Sequence, residues 1–285
     1  MSAERPRRYD PTETPRSRSA AERRQSGGRG PARSQSRAAR PTPAAASADT
    51  RRWGGFRWAP LEAVAIVSVT FSAFGVKEVL SASEAVQGLH PDLVVPARVL
   101  LLAAYYAIQA AVLVWLVRRR GGEPLRALGL RAGRPTVMRA LTSAGLVVAG
   151  LIGTRLVASL YAFVTRELGL MPEVSMDLPT VFGSSAVGFV VAVLMVVIIG
   201  PLMEEAVFRA ALLEGLAARF GAMPAILIQA ALFAALHRSW WLLFPTFVLG
   251  VVLGWLAHER GSLWPPLVLH ALYNAITVTA AFMVA

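Results

Sequence analysis

Val190-Val-Ala-Val-Leu-Met-Val-Val-Ile-Ile199-Gly200-Pro201-Leu-Met-Glu204-Glu205-Ala-Val-Phe208-Arg209 is the stretch on which the fold turns. Ten apolar residues run without a break into Gly-Pro, and the apolar character resumes beyond Arg209 to about residue 218. A helix that crosses a bilayer needs about 20 such residues. Two carboxylates and a guanidinium therefore sit inside sequence of membrane-spanning length. An ionisable side chain in the bilayer core costs at least about 2.5–3.5 kcal/mol on insertion scales. Three of them here, with His237, His270 and Asn274 in neighbouring apolar segments, mark a polar site walled off from lipid.

Similar segments lie on both sides. The spacing predicts spans over about 59–80, 97–117, 140–163, 184–200 continuing to about 218, 222–237, 242–258 and 263–284. The expected fold is all-α, a polytopic bundle of about seven transmembrane helices. The fourth segment is too long to cross straight, and Gly200-Pro201 offers it a kink or break. The fifth is short, which suits a re-entrant or tilted segment. Gly250 and Gly254 form a small-xxx-small pair that lets two helices approach closely. Trp240, Trp241 and Trp264 stand at span ends, like interfacial anchors.

The chain is 55% hydrophobic and has no cysteine, which excludes disulfides, a thiolate metal site and a Cys nucleophile. Residues 1–52 are of another kind, with thirteen Arg against five acids and almost no large apolar residue. That composition cannot bury a core, so residues 1–55 are expected to form a disordered tail preceding a transmembrane domain at 56–285. The charge suits anionic lipid better than nucleic acid. The loop after the second span is also basic, with seven Arg between Arg118 and Arg139 against Glu123 alone. Both regions are expected on the cytoplasmic side of the plasma (inner) membrane, with the C-terminus outside.

On a helix, Glu205 and Arg209 share a face and can neutralise each other, which makes their burial tolerable. Glu204 lies about 100° further round and is free to face a cavity. Glu205 and Arg209 are thus read as supporting, and Glu204 as chemical. If the chain turns near Phe220-Gly221, Glu204 and His237 lie about equally far from the turn and come level in an antiparallel hairpin. His270 and Asn274 share a helix face. Glu204 is expected to act as general base on water with His237, and His270 with Asn274 to stabilise the oxyanion of a tetrahedral intermediate. The same Glu204, His237 and His270 could hold a metal such as zinc with an open position for water. The alternatives also stand: a non-enzymatic scaffold or immunity protein that uses these groups for interhelical contacts, or a small proton-relaying transporter. Arg155, Gln109 and Gln229 are read as packing or snorkelling residues.

The three motifs, Glu204-Glu205-xxx-Arg209, Phe233-xxx-His237 and His270-xxx-Asn274, follow one another on successive apolar segments within residues 190–285. In this order, and with Gly250-xxx-Gly254 and Gly261-Ser-Leu-Trp-Pro-Pro between them, they resemble the CPBP family, the CAAX proteases and bacteriocin-processing enzymes also called the Abi family. The resemblance implies an intramembrane endopeptidase whose eukaryotic relatives remove the last three residues of prenylated proteins. It implies Glu204, His237, His270 and Asn274 as the catalytic set, a peptide or protein substrate in or at the membrane, and either a metal- or a glutamate-dependent mechanism.

Overall fold

The computed structural model describes residues 56–131, 135–170 and 178–284. The tail expected over 1–55 lies outside the described residues. Those residues form helices and no strand. α1 is Pro60–Ala82, α2 Glu84–Gln87, α3 Pro91–Arg119, α4 Pro124–Ala127, α5 Val137–Glu167 and α6 Leu178–Phe182. α7 is Ala186–Phe220, α8 Ala222–Leu236, α9 Trp240–Arg260 and α10 Trp264–Met283. Among the described residues, α1, α3, α5, α7, α9 and α10 are the six helices long and apolar enough to cross a membrane.

The fifth expected span, 222–237, is the exception. α8 has 15 residues, a length of about 22 Å against about 30 Å of hydrocarbon. It reaches only part of the way, as its short apolar run foreshadows. Its start is fixed by Gly221, whose φ of 84° reverses the chain after α7 and suits a residue without a Cβ. The turn therefore falls where the hairpin argument needs it. Gly261 (φ 55°) makes the corresponding left-handed turn between α9 and α10.

α7 is not broken at Gly200-Pro201. It runs for 35 residues, and π-helical turns at Val193–Ile199 and Ala206–Leu213 flank an α-helical piece, Gly200–Glu205. Proline lacks an N–H and crowds the carbonyl four residues back. A π turn inserts a residue at that point and removes the conflict. The second π turn lies wholly in the interior, since every side chain from Ala206 to Leu213 is buried. α7 is thus the central helix, and the other elements pack round it. Gly215 lets α1 come close, because a Cβ there would stand 2.6 Å from that of Ala63.

Gly250 and Gly254 do bring α8 and α9 together. A Cβ on Gly250 would lie 3.1 Å from Ala230, and one on Gly254 2.3 Å from Gln229 Nε2. Gln229 uses the space to donate to the Gly250 carbonyl at 2.8 Å. On the outside, Leu141, Val148, Ile152, Leu156 and Leu160 of α5 are exposed, an apolar surface suited to lipid. At one end of the bundle Arg120 ties α3 to the start of α1 through Glu62 and the Arg57 carbonyl, each at 2.7 Å. Arg139 donates to the Arg260 carbonyl at the same end of α5 and α9. The arginine-rich connections therefore collect at one end of the bundle.

Candidate active site

Glu204 and Glu205 are neighbours in the chain but differ in surroundings. Glu205 is fully buried and Glu204 keeps partial exposure. Glu205 Oε1 stands 3.0 Å from Arg209 Nη1, one turn on, and Arg209 is also fully buried. The guanidinium lies against the face of Phe233, 4.3 Å from the ring centroid, where a cation is attracted by the ring quadrupole.

The same Glu205 oxygen receives a second contact from another helix. His270 Nδ1 of α10 lies 2.8 Å from it, with the imidazole buried. A carboxylate can only accept, so Nδ1 carries the proton and donates. This fixes the ring and aims Nε2 at Glu204 Oε2, 3.6 Å away. Nε2 accepts when the ring is neutral and donates when it is charged. Glu205 therefore supports more than Arg209. It is the bridge between α7 and the α10 histidine.

His237 caps the end of α8. Its Nδ1 donates to the Phe233 carbonyl at 3.0 Å, which leaves Nε2 without a proton in the neutral ring. Its ring meets Phe233 edge-on at 5.0 Å, and Phe233 meets His270 edge-on at 5.7 Å. Phe233 thus stands between the two imidazoles while its face carries Arg209. Glu204, His270 and Arg209 all lie within electrostatic reach of His237. Asn274, one turn beyond His270, donates its amide to the Val196 carbonyl at 2.9 Å. That bond ties α10 to the first π turn of α7 and leaves the second amide hydrogen of Asn274 uncommitted to it.

Of the six residues singled out by the motifs, Arg209, His237 and His270 border Phe233, Glu204 and Glu205 lie beside His270, and Asn274 bonds to α7 one turn further along α10. A zinc set is a different matter. Among the described residues no three His, Asp or Glu side chains stand close enough together to hold a metal as placed, while His237 and His270 each engage Nδ1 and leave Nε2 free, as a metal-ligating histidine does.

Three further groups border the site that the motifs did not indicate. Tyr105 and Tyr106 of α3 are within electrostatic reach of Glu204. Tyr106 Oη lies 2.8 Å from where a Cβ on Gly200 would be, one helical turn before Glu204. Gln109 is buried one turn from Tyr105 on the same helix. The available signal was a polar face, Tyr105-Tyr106-xx-Gln109, on an otherwise apolar span. Arg155 of α5 does not snorkel. It stacks on Tyr273 with its Cζ 3.8 Å from the ring centroid, and donates to the Tyr273 carbonyl and to Thr277 Oγ1. It thereby clamps the α10 turn that carries Asn274.

Comparison with curated proteins and with solved structures gives no match. Residues 186–276 match the family model described as type II CAAX prenyl endopeptidase Rce1-like. The matched span covers α7 to α10 as far as Asn274, so it takes in all three motifs and agrees with the CPBP resemblance they carry. The chain is an integral membrane protein whose residues 186–276 are similar to the type II CAAX prenyl endopeptidase Rce1-like family.

Proposed function

We propose that this protein is an intramembrane endopeptidase that hydrolyses a peptide bond of a membrane-associated protein or peptide. The observation that carries the reading is the pairing of Glu204 with a histidine from another helix, His270, whose free nitrogen is aimed at it by a buried carboxylate. Glu204 takes a proton from the attacking water. His237 Nε2 orients that water, then receives the proton from Glu204 and passes it to the leaving amine as the C–N bond breaks. The second amide hydrogen of Asn274, together with His270 Nε2 in the charged form of that ring, donates to the developing oxyanion. Glu205 and Arg209 hold His270 and the α7 turn in register. The water-activating steps are assigned to the chain's own side chains, and Glu204, His237 and His270 are the groups that would hold a metal such as zinc, which would supply an activated water. The arginine-rich end is assigned to the cytoplasmic side, in keeping with the retention of basic loops there.

The test is a comparison of membrane peptides from cells that carry the wild type or Glu204→Gln at equal protein levels. Peptides trimmed only in the wild type support the reading and identify substrates. Identical peptide sets, with the purified proteins equally active or equally inert, overturn it. Asn274 gives the non-enzymatic scaffold its best support, because its bond to Val196 is a plain interhelical contact. On that reading Asn274→Ala loosens the bundle and changes no peptide.

A further inference from the structure

α1 and α3 carry a group of buried polar side chains that the proposed hydrolysis does not use. Thr70 of α1 and Tyr105 and Gln109 of α3 are 1%, 4% and 3% exposed. The two hydroxyls and both polar atoms of the Gln109 amide make no well-aligned hydrogen bond among the described residues. A bond between Tyr105 and Gln109, one turn apart on α3, would still leave one polar atom of Gln109 and the Thr70 hydroxyl unpaired. Thr70 is unlike the buried threonines of α5 in this respect. Thr154 and Thr165 each bond back to a carbonyl of the preceding turn, whereas the Thr70 hydroxyl does not. Polar groups buried this deeply are normally bonded to the protein or to ordered water, because an unpaired one bears its full desolvation cost.

The three residues are level with one another and with Glu204. α1 and α3 run antiparallel, with Arg120 against Glu62 at one end and the rings of Phe74 and Tyr105 5.8 Å apart further along. One turn from that ring pair, back along α1 and on along α3, come Thr70 and Gln109. α7 runs parallel to α3, since it too ends against the start of α1, where Gly215 meets Ala63. The Tyr106 hydroxyl reaches Gly200. Four residues further along both helices, Ala110 is level with Glu204, and Gln109 is its neighbour. The count from the other end agrees. Glu204 is eleven residues before Gly215, and Phe74 is eleven residues beyond Ala63. The π turn between Glu204 and Gly215 shortens that stretch and moves the level from Phe74 towards Thr70. Tyr105 is, besides, within electrostatic reach of Glu204. Glu204 thus meets an imidazole from α10 and a neutral polar layer from α1 and α3.

We propose that Thr70, Tyr105 and Gln109 hold a short file of ordered waters that leads to Glu204. The chemistry of the three selects water over other occupants. None of them is charged, so neither a cation nor an anion finds a counter-charge among them. Each hydroxyl both donates and accepts, and the amide offers two donors and an acceptor. A buried water typically makes about three hydrogen bonds to groups of this kind. The role in the reaction rests on the endopeptidase reading of Glu204 and adds how that site is supplied. Each hydrolysed bond consumes one water, which hydrocarbon around the bundle does not deliver. The file replaces it from the α1 and α3 side and exchanges protons with the Glu204 carboxyl. Thr70, Tyr105 and Gln109 act through the waters they hold and are positioning residues.

The test uses the full-length protein in phosphatidylcholine nanodiscs and needs no peptide. Radiolysis of bound water yields hydroxyl radicals that mark the side chains beside it. Tyr105 should be marked in the wild type despite its burial. In Thr70→Val combined with Gln109→Leu the marking should be about tenfold slower, as the loss of a hydrogen bond to each water implies. The second readout is the infrared carboxyl stretch of Glu204 at acid pH, assigned by its loss in Glu204→Gln. On transfer to heavy water its isotope shift should be about tenfold slower in the double variant than in the wild type. Tyr105→Phe, which removes one oxygen and keeps the ring, should slow the shift in part and stands in if the double variant does not fold. A Tyr105 left unmarked in the wild type means a dry cluster and overturns the proposal. So does a Glu204 shift as fast in the folded variants as in the wild type. Slowed exchange in a protein whose Glu204→Gln variant cleaves peptides like the wild type sinks the endopeptidase reading and leaves the water file standing.

Discussion

Consider removal of the Glu205 carboxylate by Glu205→Ala. Glu205 Oε1 is shared by Arg209 at 3.0 Å and His270 at 2.8 Å, and neither carboxylate nor guanidinium is exposed. The substitution leaves a fully buried guanidinium whose remaining compensation is the face of Phe233. Breaking a buried pair on one side costs about 3–5 kcal/mol, and Arg209→Met should cost a similar amount for the converse reason. The pair is also poorly satisfied as it stands. Glu205 Oε2 and the three guanidinium nitrogens of Arg209 make no well-aligned hydrogen bond among the described residues, so little beyond the Coulomb attraction offsets desolvation. Glu205→Ala combined with Arg209→Met should therefore recover most of the loss. A double-mutant cycle on the purified protein in detergent micelles should give a coupling of at least about 3 kcal/mol. Activity should not recover with stability. The double variant no longer fixes the His270 tautomer, and loss of such an orienting partner typically costs about 10–100-fold. Additive destabilisation, or full activity in the stable double variant, would refute the reasoning on stability and on orientation respectively.

Glu204→Gln keeps size and hydrogen bonding but removes the base, so turnover should fall about 10²–10⁴-fold while the melting temperature stays close to that of the wild type. Gly254→Val places two methyl groups where Gln229 Nε2 is 2.3 Å from the first added carbon. It should cost about 1–3 kcal/mol by overpacking, measured as a lower melting temperature, and Gln229→Ala in the same chain should relieve part of it. Arg155→Met removes the clamp on Tyr273 and Thr277, so hydrogen exchange of the α10 backbone around Asn274 should speed up with the α8–α9 hairpin unaffected. Washing with a strong chelator should leave turnover unchanged, read with the peptide substrates that the Glu204→Gln comparison yields; a loss restored by zinc would show that the donors close round a metal during turnover.

Much of this arrangement was legible because membranes make polar residues conspicuous. Glu204, Glu205 and Arg209 stand out against their apolar flanks, and the angle between adjacent helical positions already separated a buried Glu205 from a partly exposed Glu204. The hairpin at Gly221 could be placed by counting, which brought His237 level with Glu204. Three things were hidden. The double duty of Glu205 depends on how α10 leans against α7, and no local pattern encodes that. Phe233 stood out only as the first residue of the Phe233-xxx-His237 motif, which gave no sign that it lies between two imidazoles and under a guanidinium. Arg155 could be read only as packing or snorkelling, because a lone arginine in a span has two outlets, the interface and an aromatic face, and only the fold decides between them. The shortness of α8 was legible too, since its apolar run of 222–237 is too brief to cross, and the helix ends at Leu236 after 15 residues.

That short helix explains how the site can be wet inside an apolar bundle. A helix that spanned the full hydrocarbon thickness at this position would carry His237 in mid-helix, its Nδ1 and Nε2 both turned against neighbours. Ending at Leu236 puts His237 on the first non-helical turn, where its ring folds back on the Phe233 carbonyl and keeps one nitrogen outward. The π turns of α7 act on the other side. They hold Glu204 and Glu205 on a six-residue α-helical island between two segments of altered pitch, so the rotation that separates the two carboxylates is set locally and survives the proline beside them. Replacing Pro201 with alanine tests this directly. With an N–H restored, the first π turn can relax to an α-helix, which rotates everything beyond it by about 100°. Glu205 would then leave Arg209 and His270, and the variant should lose activity through misplacement of Glu204 although no polar group of the site has been touched.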